Sequence, residues 1–247
     1  MQIAIPTFNR FNTIGSKTLS FLNTMDGVTL NNITIFVADE TEYMKYTQRY
    51  PDYHIVIGCP GITAQRNFIM KYYDYNEYVV SIDDDVESLV SLDDKDYSNL
   101  FLLGKRELDK RGLTLWGVNA VSNTYFMGNQ KEISTNLKFC IGALFGFINK
   151  RFAKNLACKV KEDYLFTIQN YENYGGVVRF NHVSPKTRMF TKGGIGDKKS
   201  RYEDNEIACS IISNNYPHLA TIVRGGTGYA EIRLRHQHRF DQQSPYG

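Results

Sequence analysis

Three consecutive aspartates follow an apolar run in the first third of the chain. The run Tyr78–Ile82 has the composition of a buried strand, and Asp83, Asp84 and Asp85 come directly after it. Because side chains alternate along a strand, we expect Asp83 and Asp85 to point one way and Asp84 the other. Two carboxylates on one side suit Mg²⁺ or Mn²⁺, cations that commonly carry substrate phosphates. The alternative is that these acids form a turn or cap a following helix.

The elements that position these acids alternate between strands and helices in the first half of the chain. Short apolar runs predict strands at Gln2–Pro6, 33–38, His54–Ile57 and Tyr78–Ile82, and amphipathic stretches predict helices over 16–25, 41–50 and 63–73. This alternation is typical of βαβ units that build a mostly parallel sheet. In such a sheet, ligands bind beyond the carboxyl ends of the strands.

Beyond residue 89 the alternation is less regular. Segments 113–127 and 139–148 are expected to be strands or extended, and the first contains Trp116, the sole tryptophan, which either packs in the core or walls a sugar or base. A helix is predicted over 161–171 with acids in its first turn, followed by a strand at 176–182. The basic, glycine-containing segment 186–201 predicts a mobile loop. A helix over 203–213, a strand at 219–223 and a disordered tail at 241–247 complete the prediction.

Composition places few further limits on function. The 247 residues are 42% hydrophobic and 22% charged, which is enough for one large α/β domain. The start lacks a signal-peptide pattern and no apolar run could span a bilayer, so we expect a cytoplasmic protein without membrane contact. The four cysteines are widely spaced, which favours reduced structural thiols.

Charge is distributed unevenly along the chain. Residues 179–239 hold 11 Lys or Arg against 5 Asp or Glu, whereas the rest of the chain holds 18 against 21. This asymmetry favours a surface for a polyanion or an anionic donor, although solvated basic faces are common.

Four motifs in one order resemble the nucleotide-sugar-binding half of a GT-A glycosyltransferase of the family-2-like type. They are Ile3-Ala4-Ile5-Pro6-Thr7-Phe8-Asn9-Arg10, Val37-Ala38-Asp39-Glu40, Ala64-Gln65-Arg66-Asn67 and the three aspartates. The resemblance implies an α/β, Rossmann-like, mostly parallel sheet with helices on both faces and a C-terminal acceptor-side extension. It also implies one domain over 1–240, with a nucleotide-sugar half at 1–90 and an acceptor half at 91–240.

The resemblance assigns donor-binding roles to eight residues. The turn after the first strand would present Pro6, Thr7, Phe8 and Arg10 to the nucleotide, and Asp39 would contact the base or ribose, although it could simply cap a helix. Arg66 and Asn67 match an Ala-Arg-Asn segment that Gln65 interrupts, and Arg66 would neutralise diphosphate oxygens. Asp83 and Asp85 would hold Mn²⁺ or Mg²⁺, and Asp84 would line the donor site. UDP is the expected nucleotide.

The resemblance also suggests the catalytic groups. Glu162 and Asp163 match an acidic pair at the start of the acceptor-side helix, and Asp163 would deprotonate the attacking hydroxyl. The pair Glu203-Asp204 is a rival, because it also precedes a helical run. A third metal ligand is expected from His182, with His236 and His238 as alternatives.

The acceptor is less constrained. Segments 115–119 and 192–195 resemble bacteriophage glycosyltransferases, associated with TET-type oxidases, that modify hydroxymethylated pyrimidines in duplex DNA. A DNA partner would use the basic C-terminal third. Transfer to a glycan, a lipid-linked saccharide or a protein is the alternative within the fold. Outside it, a nucleotidyltransferase or a non-catalytic nucleotide-binding module remains open, although residues 6–10 lack a glycine-rich phosphate loop.

Overall fold

An eight-stranded mixed sheet lies at the centre of the structure, a computed structural model that describes residues 1–92, 94–151, 158–187, 198–226 and 228–235, without the side chains of 198–201. Its strands are β1 Gln2–Pro6, β2 Ile33–Val37, β3 His54–Ile57, β4 Tyr78–Ile82, β6 Leu115–Val118, β7 Ile133–Ser134, β8 Leu144–Ile148 and β9 Val178–Phe180. Their order in the sheet is β3-β2-β1-β4-β8-β6-β9-β7.

Strands β1, β2, β3 and β4 are parallel to one another, as the alternating sequence pattern predicts. Strand β8 is antiparallel to both of its neighbours, β4 and β6, so β4 and β6 run in the same direction. The carboxyl ends of β1, β2, β4 and β6 therefore meet at one edge of the sheet, where ligands of open α/β sheets bind.

Helices cover both faces of the sheet. Successive side chains of a strand point to opposite faces, and both faces are apolar here. Ile3 and Ile5 join one apolar cluster and Ala4 joins the other. A π-helical turn, Gly15–Leu19, continues into α1 Ser20–Leu22, and both pack in the first cluster with α2 Glu40–Arg49 and α4 Leu100–Arg111. The second cluster receives α3 Ile62–Tyr72, α6 Glu162–Tyr174 and α7 Lys198–Asn215.

Two small antiparallel ribbons complete the described structure. Strand β5, Val86–Ser91, follows the aspartates directly and pairs with β10, Val183–Thr187. Strands β11 Ala220–Arg224 and β12 Ala230–Leu234 form the second ribbon, which packs against α7. No helix within the described ranges is long and apolar enough to cross a membrane.

The structure corrects several predictions in the second half. Segment 113–127 contains a short helix, α5 Thr124–Gly128, after β6. The predicted loop 186–201 is wrong at both ends, because β10 continues to Thr187 and α7 begins at Lys198. The tail 241–247 and residues 188–197 lie outside the described residues.

Candidate functional site

A cavity of about 490 Å³ opens at the carboxyl ends of β1 and β4. Its wall includes Pro6, Thr7, Phe8 and Arg10 from the turn after β1, and Asp83, Asp84 and Asp85 from the turn after β4. The loop before α3 supplies the opposite side. A cavity of this volume suits a small-molecule ligand. The two motifs are more than 70 residues apart in the chain, and the parallel pairing of β1 with β4 brings them together.

The three aspartates lie on a turn between β4 and β5, so the strand-alternation prediction is wrong for them. Strand β4 ends at Ile82, and all three side chains line the same cavity. The turn is fixed from below by Thr18, whose fully buried hydroxyl donates to the Asp83 carbonyl at 2.7 Å. The same hydroxyl accepts the Val86 N–H at 3.1 Å. Thr18 carries no motif, so sequence reasoning missed it.

A second network holds Asp84 against the first turn. The Thr7 hydroxyl donates to Asp84 Oδ2 at 2.5 Å and also lies 2.7 Å from the Tyr46 hydroxyl. Asn9 adopts a left-handed backbone with φ 56°, and its N–H donates to Glu42 at 2.8 Å. Thr7 and Asp84 thus hold the two turns together, while Phe8, which lines the cavity, is 56% exposed.

Arg66 is buried and links the aspartate turn to the acidic pair of α6. Its guanidinium donates to Asp83 Oδ1 at 3.0 Å, to the Gly142 carbonyl at 2.8 Å and to Glu162. Arg66 does not line the large cavity, and its terminal nitrogens already have protein partners. We therefore replace the predicted diphosphate contact with a positioning role.

The two members of the acidic pair differ in exposure and in hydrogen-bond partners. Glu162 is 6% exposed and pairs with Arg66, whereas Asp163 is more open. Asp163 accepts the Gly142 N–H at 3.1 Å and the Tyr164 N–H at 2.9 Å, which fixes its carboxylate next to the Arg66 cluster. Gly142 is required here, because a Cβ at this position would overlap the Arg66 guanidinium.

The rival acidic pair is placed elsewhere. Helix α7 begins at Lys198, so Glu203 and Asp204 lie inside a helix and not at its start. Asp204 pairs with Lys159 at 3.1 Å, and neither acid contacts the Arg66 cluster or lines the cavity.

The carboxyl groups of the site have raised pKa values, because they are buried. Burial raises the pKa of Asp83 to about 7, although Arg66 opposes the shift. Burial also raises the pKa of Asp84 to about 6, against the hydrogen bond from Thr7, and raises that of Asp85. Glu162 and Asp163 are shifted upward for the same reason. Burial thus disfavours the charged form of these carboxyl groups, and a bound cation would favour it.

This donor set fits a divalent cation. Carboxylate oxygens are the ligands that Mg²⁺ and Mn²⁺ prefer, and Asp83 keeps 33% of its side chain exposed toward the cavity. In the described ranges, no group of three or more His, Cys, Asp or Glu side chains forms a complete metal site. Mg²⁺ in proteins is usually held by one or two carboxylates together with substrate phosphates.

His182 is not a ligand at this site, contrary to the prediction. Val183 pairs with Ser91 and Thr187 pairs with Val86, so His182 lies at the far end of the ribbon from Asp85. That distance is about 20 Å at the usual rise per strand residue. The His182 ring nitrogen Nε2 instead lies 2.8 Å from the Gln130 carbonyl. The rivals His236 and His238 are outside the described residues.

The structure also gives the positions of three further residues from the sequence analysis. Asp39 caps α2 by accepting the Glu42 N–H at 2.9 Å, and it directly follows Ala38, which lines the cavity. Asn67 does not line the cavity, and its buried Oδ1 has no hydrogen-bond partner within the described structure. Trp116 is fully buried and donates to the Tyr78 hydroxyl at 2.8 Å, so the ligand-wall alternative is wrong.

Gln65, which interrupts the sequence motif, is part of the site. Its side chain accepts the Cys59 N–H at 2.7 Å and donates to the Val37 carbonyl at 3.1 Å. These bonds hold the cavity-lining loop of Cys59 against β2. The four cysteines form no disulfide, as predicted, and Cys59 is the partly exposed one.

No family model matches the sequence, and no curated protein matches it. Among solved structures, S. aureus TarS 1–349 in complex with UDP-GlcNAc shares 15% identity and a TM-score of 0.53 over 87% of this chain and 67% of that one. The chain covers 40% of the longer TarS structure.

Glucosyl-3-phosphoglycerate synthase from Mycobacterium tuberculosis is also similar. Its complex with phosphoglyceric acid has 11% identity and a TM-score of 0.55 over 90% of this chain and 82% of that one. Its complex with Mn²⁺ and UDP-glucose has 10% identity and a TM-score of 0.52, over 95% and 86%. At these identities the likeness establishes the fold, which is the predicted α/β GT-A arrangement of glycosyltransferases.

Proposed function

We propose that this chain is a glycosyltransferase that moves a sugar from a nucleoside diphosphate sugar to a hydroxyl group, with the help of Mn²⁺ or Mg²⁺. The observation that carries this proposal is the single cavity shared by residues 6–10 and the three aspartates. Arg66 donates to Asp83 at this cavity, to Glu162 and to the Gly142 carbonyl, and the Gly142 N–H donates to Asp163. These contacts support a donor site and a carboxylate base that lie in one cluster.

The donor nucleotide is proposed to lie against the turn after β1. Phe8 offers an exposed ring to the base, and Arg10 lies close enough to Asp84 and Asp85 to lower their pKa values by its charge. The same cationic side chain would favour a diphosphate in the cavity. Asp39, next to Ala38, is the proposed contact for the ribose. UDP is the default because the neighbouring structures are complexes with UDP-GlcNAc and UDP-glucose.

Asp83 and Asp85 are the residues proposed to hold the cation, and Asp84 to shape the pocket. A bound divalent cation would supply Lewis-acid stabilisation to the departing diphosphate. Arg66 fixes the orientation of Asp83 through a charge-assisted hydrogen bond at 3.0 Å. Thr18 fixes the backbone of the turn, so the two carboxylates keep one arrangement as the donor binds.

Asp163 is the proposed general base. The pKa of Asp163 is raised toward neutral pH, and a general base works most efficiently when its pKa lies near the working pH. Glu162 is buried against Arg66 and is proposed to orient the cluster without touching the acceptor. The hydroxyl proton would pass to the Asp163 carboxylate as the oxygen attacks the sugar.

For the acceptor, hydroxymethylated pyrimidine DNA is the finer proposal that the sequence resemblance suggests. Its physical support is the basic excess in 179–239. Among the described residues, Arg179 is only 9% exposed and Arg224 pairs with Glu206 at 2.7 Å, whereas Arg233 and Arg235 are exposed. A DNA complex should weaken steeply between low and physiological salt; a flat salt dependence contradicts this acceptor.

The direct test is release of UDP from UDP-sugars. We expect the protein to hydrolyse UDP-glucose or UDP-GlcNAc slowly in Mn²⁺, with water as acceptor, and to stop in EDTA. Asp85→Asn should abolish the Mn²⁺-dependent release, whereas Asp204→Asn, the matched control outside the site, should not change it. Release that is equal in Mn²⁺ and EDTA contradicts the metal assignment. Cleavage of a nucleoside triphosphate instead favours the nucleotidyltransferase alternative.

A further inference from the structure

A patch of exposed apolar side chains lies on the segment that leaves β6. Val121, Tyr125 and Phe126 are 48%, 72% and 57% exposed, and all three fall within six residues. The two rings pack edge to face with centroids 5.4 Å apart, which leaves ring faces open to solvent. Single exposed apolar residues are ordinary on protein surfaces, but a cluster of this kind marks an interaction site.

The patch emerges at the same sheet edge as the aspartates. Gly117 and Ser81 both pair with Phe145, so Asn119 is level with Asp83. Two strand spacings separate them, about 10 Å. The segment that starts at Asn119 therefore extends outward from the acceptor side of the proposed donor cavity.

The segment is held at both ends. The Asn119 N–H donates to the Val183 carbonyl at 2.8 Å, and the Asn119 side chain donates to the Asn181 carbonyl at 2.9 Å. At the other end, the Gln130 carbonyl lies 2.8 Å from the His182 ring. The aromatic pair thus lies on the short helix α5, within a segment that is held at both ends. His182, which the sequence suggested as a metal ligand, has this anchoring role.

The β5–β10 ribbon connects the patch to the aspartate turn. Val86 lies at the turn, and Leu92, at the other end of the ribbon, packs next to Gly128 of α5. Leu92 is six residue steps along the chain from Val86, which corresponds to about 20 Å in an extended strand. A small acceptor cannot contact the aspartates and the patch at once, but an extended chain can.

The charge of the patch indicates what kind of acceptor chain could bind to it. Residues 119–130 contain no Asp, Glu, Lys or Arg. The charged residues that follow are Lys131 and Glu132, and Glu132 pairs with Lys95 at 3.0 Å. The cations next to this surface are Lys131, which is exposed, and Lys138 and Arg179, whose side chains donate to Gln130 and are partly or largely buried. Binding of a polyanion draws on several exposed Lys and Arg contacts. Open aromatic faces on a neutral surface fit the apolar faces of uncharged sugar rings.

We propose that Val121, Tyr125 and Phe126 form a docking surface for the remote part of a neutral glycan chain whose end receives the sugar. This inference rests on the proposed transferase function and adds the acceptor class. The chain lies along the β5–β10 ribbon, with its acceptor hydroxyl at Asp163 and a ring several sugars away on the aromatic pair.

The test uses the full chain on immobilised neutral hexasaccharides of glucose, mannose and N-acetylglucosamine, with duplex DNA as a comparison surface. We expect Tyr125→Ser/Phe126→Ser to bind its glycan at least ~10-fold more weakly than the wild type, from two lost ring contacts. Tyr125→Phe keeps the ring and should keep the binding. Tyr75→Ser is the matched control, because Tyr75 is 58% exposed on the segment just before β4, at the opposite edge of the sheet.

Binding of UDP in Mn²⁺, measured on the same variants, separates the two proposals. Unchanged UDP binding together with lost glycan binding supports the docking surface. UDP binding without any glycan binding, or equal glycan binding by the double variant, overturns it. Patch-dependent binding to DNA, or a dimer that the double variant dissociates, also overturns it. Loss of UDP binding in the wild type refutes the transferase proposal instead.

Discussion

At the scale of single residues, one guanidinium organises the site. Arg66 has carboxylates from β4 and α6 around it, and its fork geometry allows simultaneous hydrogen bonds to Asp83, Glu162 and the Gly142 carbonyl. A lysine could not reproduce these directions. The sequence motif indicated that Arg66 is important, but the resemblance implied a contact with the diphosphate of the substrate. Its actual partners depend on α6, nearly 100 residues away.

Replacement of Asp163 tests its proposed role as the general base. Asp163→Asn keeps the size of the side chain and an acceptor for the Gly142 N–H, but it cannot take a proton from the acceptor hydroxyl. We expect sugar transfer to fall by about 10²- to 10⁴-fold, the usual contribution of a positioned base. Binding of UDP in Mn²⁺ should stay within a factor of about two of the wild type. Transfer is measured by UDP release in the presence of a neutral hexasaccharide.

Asp204→Asn is the control for that experiment, because Asp204 pairs with Lys159 away from the cluster. A loss of transfer in this variant, with Asp163→Asn active, would reverse the assignment of the base.

At the scale of elements, the turn between β4 and β5 depends on a buried threonine. Thr18→Val keeps the shape but leaves the Val86 N–H and the Asp83 carbonyl without a partner. We expect a loss of about 1–3 kcal/mol in the free energy of unfolding, the cost of an unsatisfied buried polar group. UDP affinity in Mn²⁺ should also fall, since the turn is no longer fixed. Denaturant unfolding and calorimetric titration measure the two effects.

Thr47→Val is the matched control. The Thr47 hydroxyl donates to the Tyr43 carbonyl within α2, far from the cavity. It should change neither stability nor UDP affinity by a comparable amount. Equal effects from the two variants would show that Thr18 has no particular role in the turn.

The sequence predicted the first four strands because their signals are local. β1, β3 and β4 have the predicted bounds, and apolar runs bounded by turn residues are sufficient to find such strands. Strand β5 was not predicted, because its partner β10 lies about 90 residues later in the chain and the sequence alone does not reveal that pairing. The placement of His182 was wrong for the same reason, since it depends on the register of that pairing.

At the scale of the whole molecule, the carboxylate cluster makes stability depend on pH. The pKa of Asp83 rises from the ordinary 3.8 to about 7 on folding, so the folded protein holds a proton that the unfolded chain has released. Stability without cation should therefore fall as pH rises from about 4 to about 7. Asp83→Asn removes one such group, and its melting temperature should fall less over that range. At about pH 8, addition of Mn²⁺ with UDP should raise the melting temperature of the wild type again.

A series of thermal melts of both proteins across that pH range, with and without Mn²⁺ and UDP, makes the comparison. Parallel curves for the wild type and Asp83→Asn would mean that Asp83 titrates normally. That result would remove the electrostatic argument for a cation at the aspartate turn.

The central claim is that the three aspartates hold a cation that carries a nucleoside diphosphate, and calorimetric titration of UDP tests it most directly. We expect UDP to bind in Mn²⁺ and not in EDTA, and Asp85→Asn to lose the Mn²⁺-dependent binding while it keeps the melting temperature of the metal-free wild type. UDP binding of equal strength in Mn²⁺ and EDTA, or unchanged binding by Asp85→Asn, would contradict the claim.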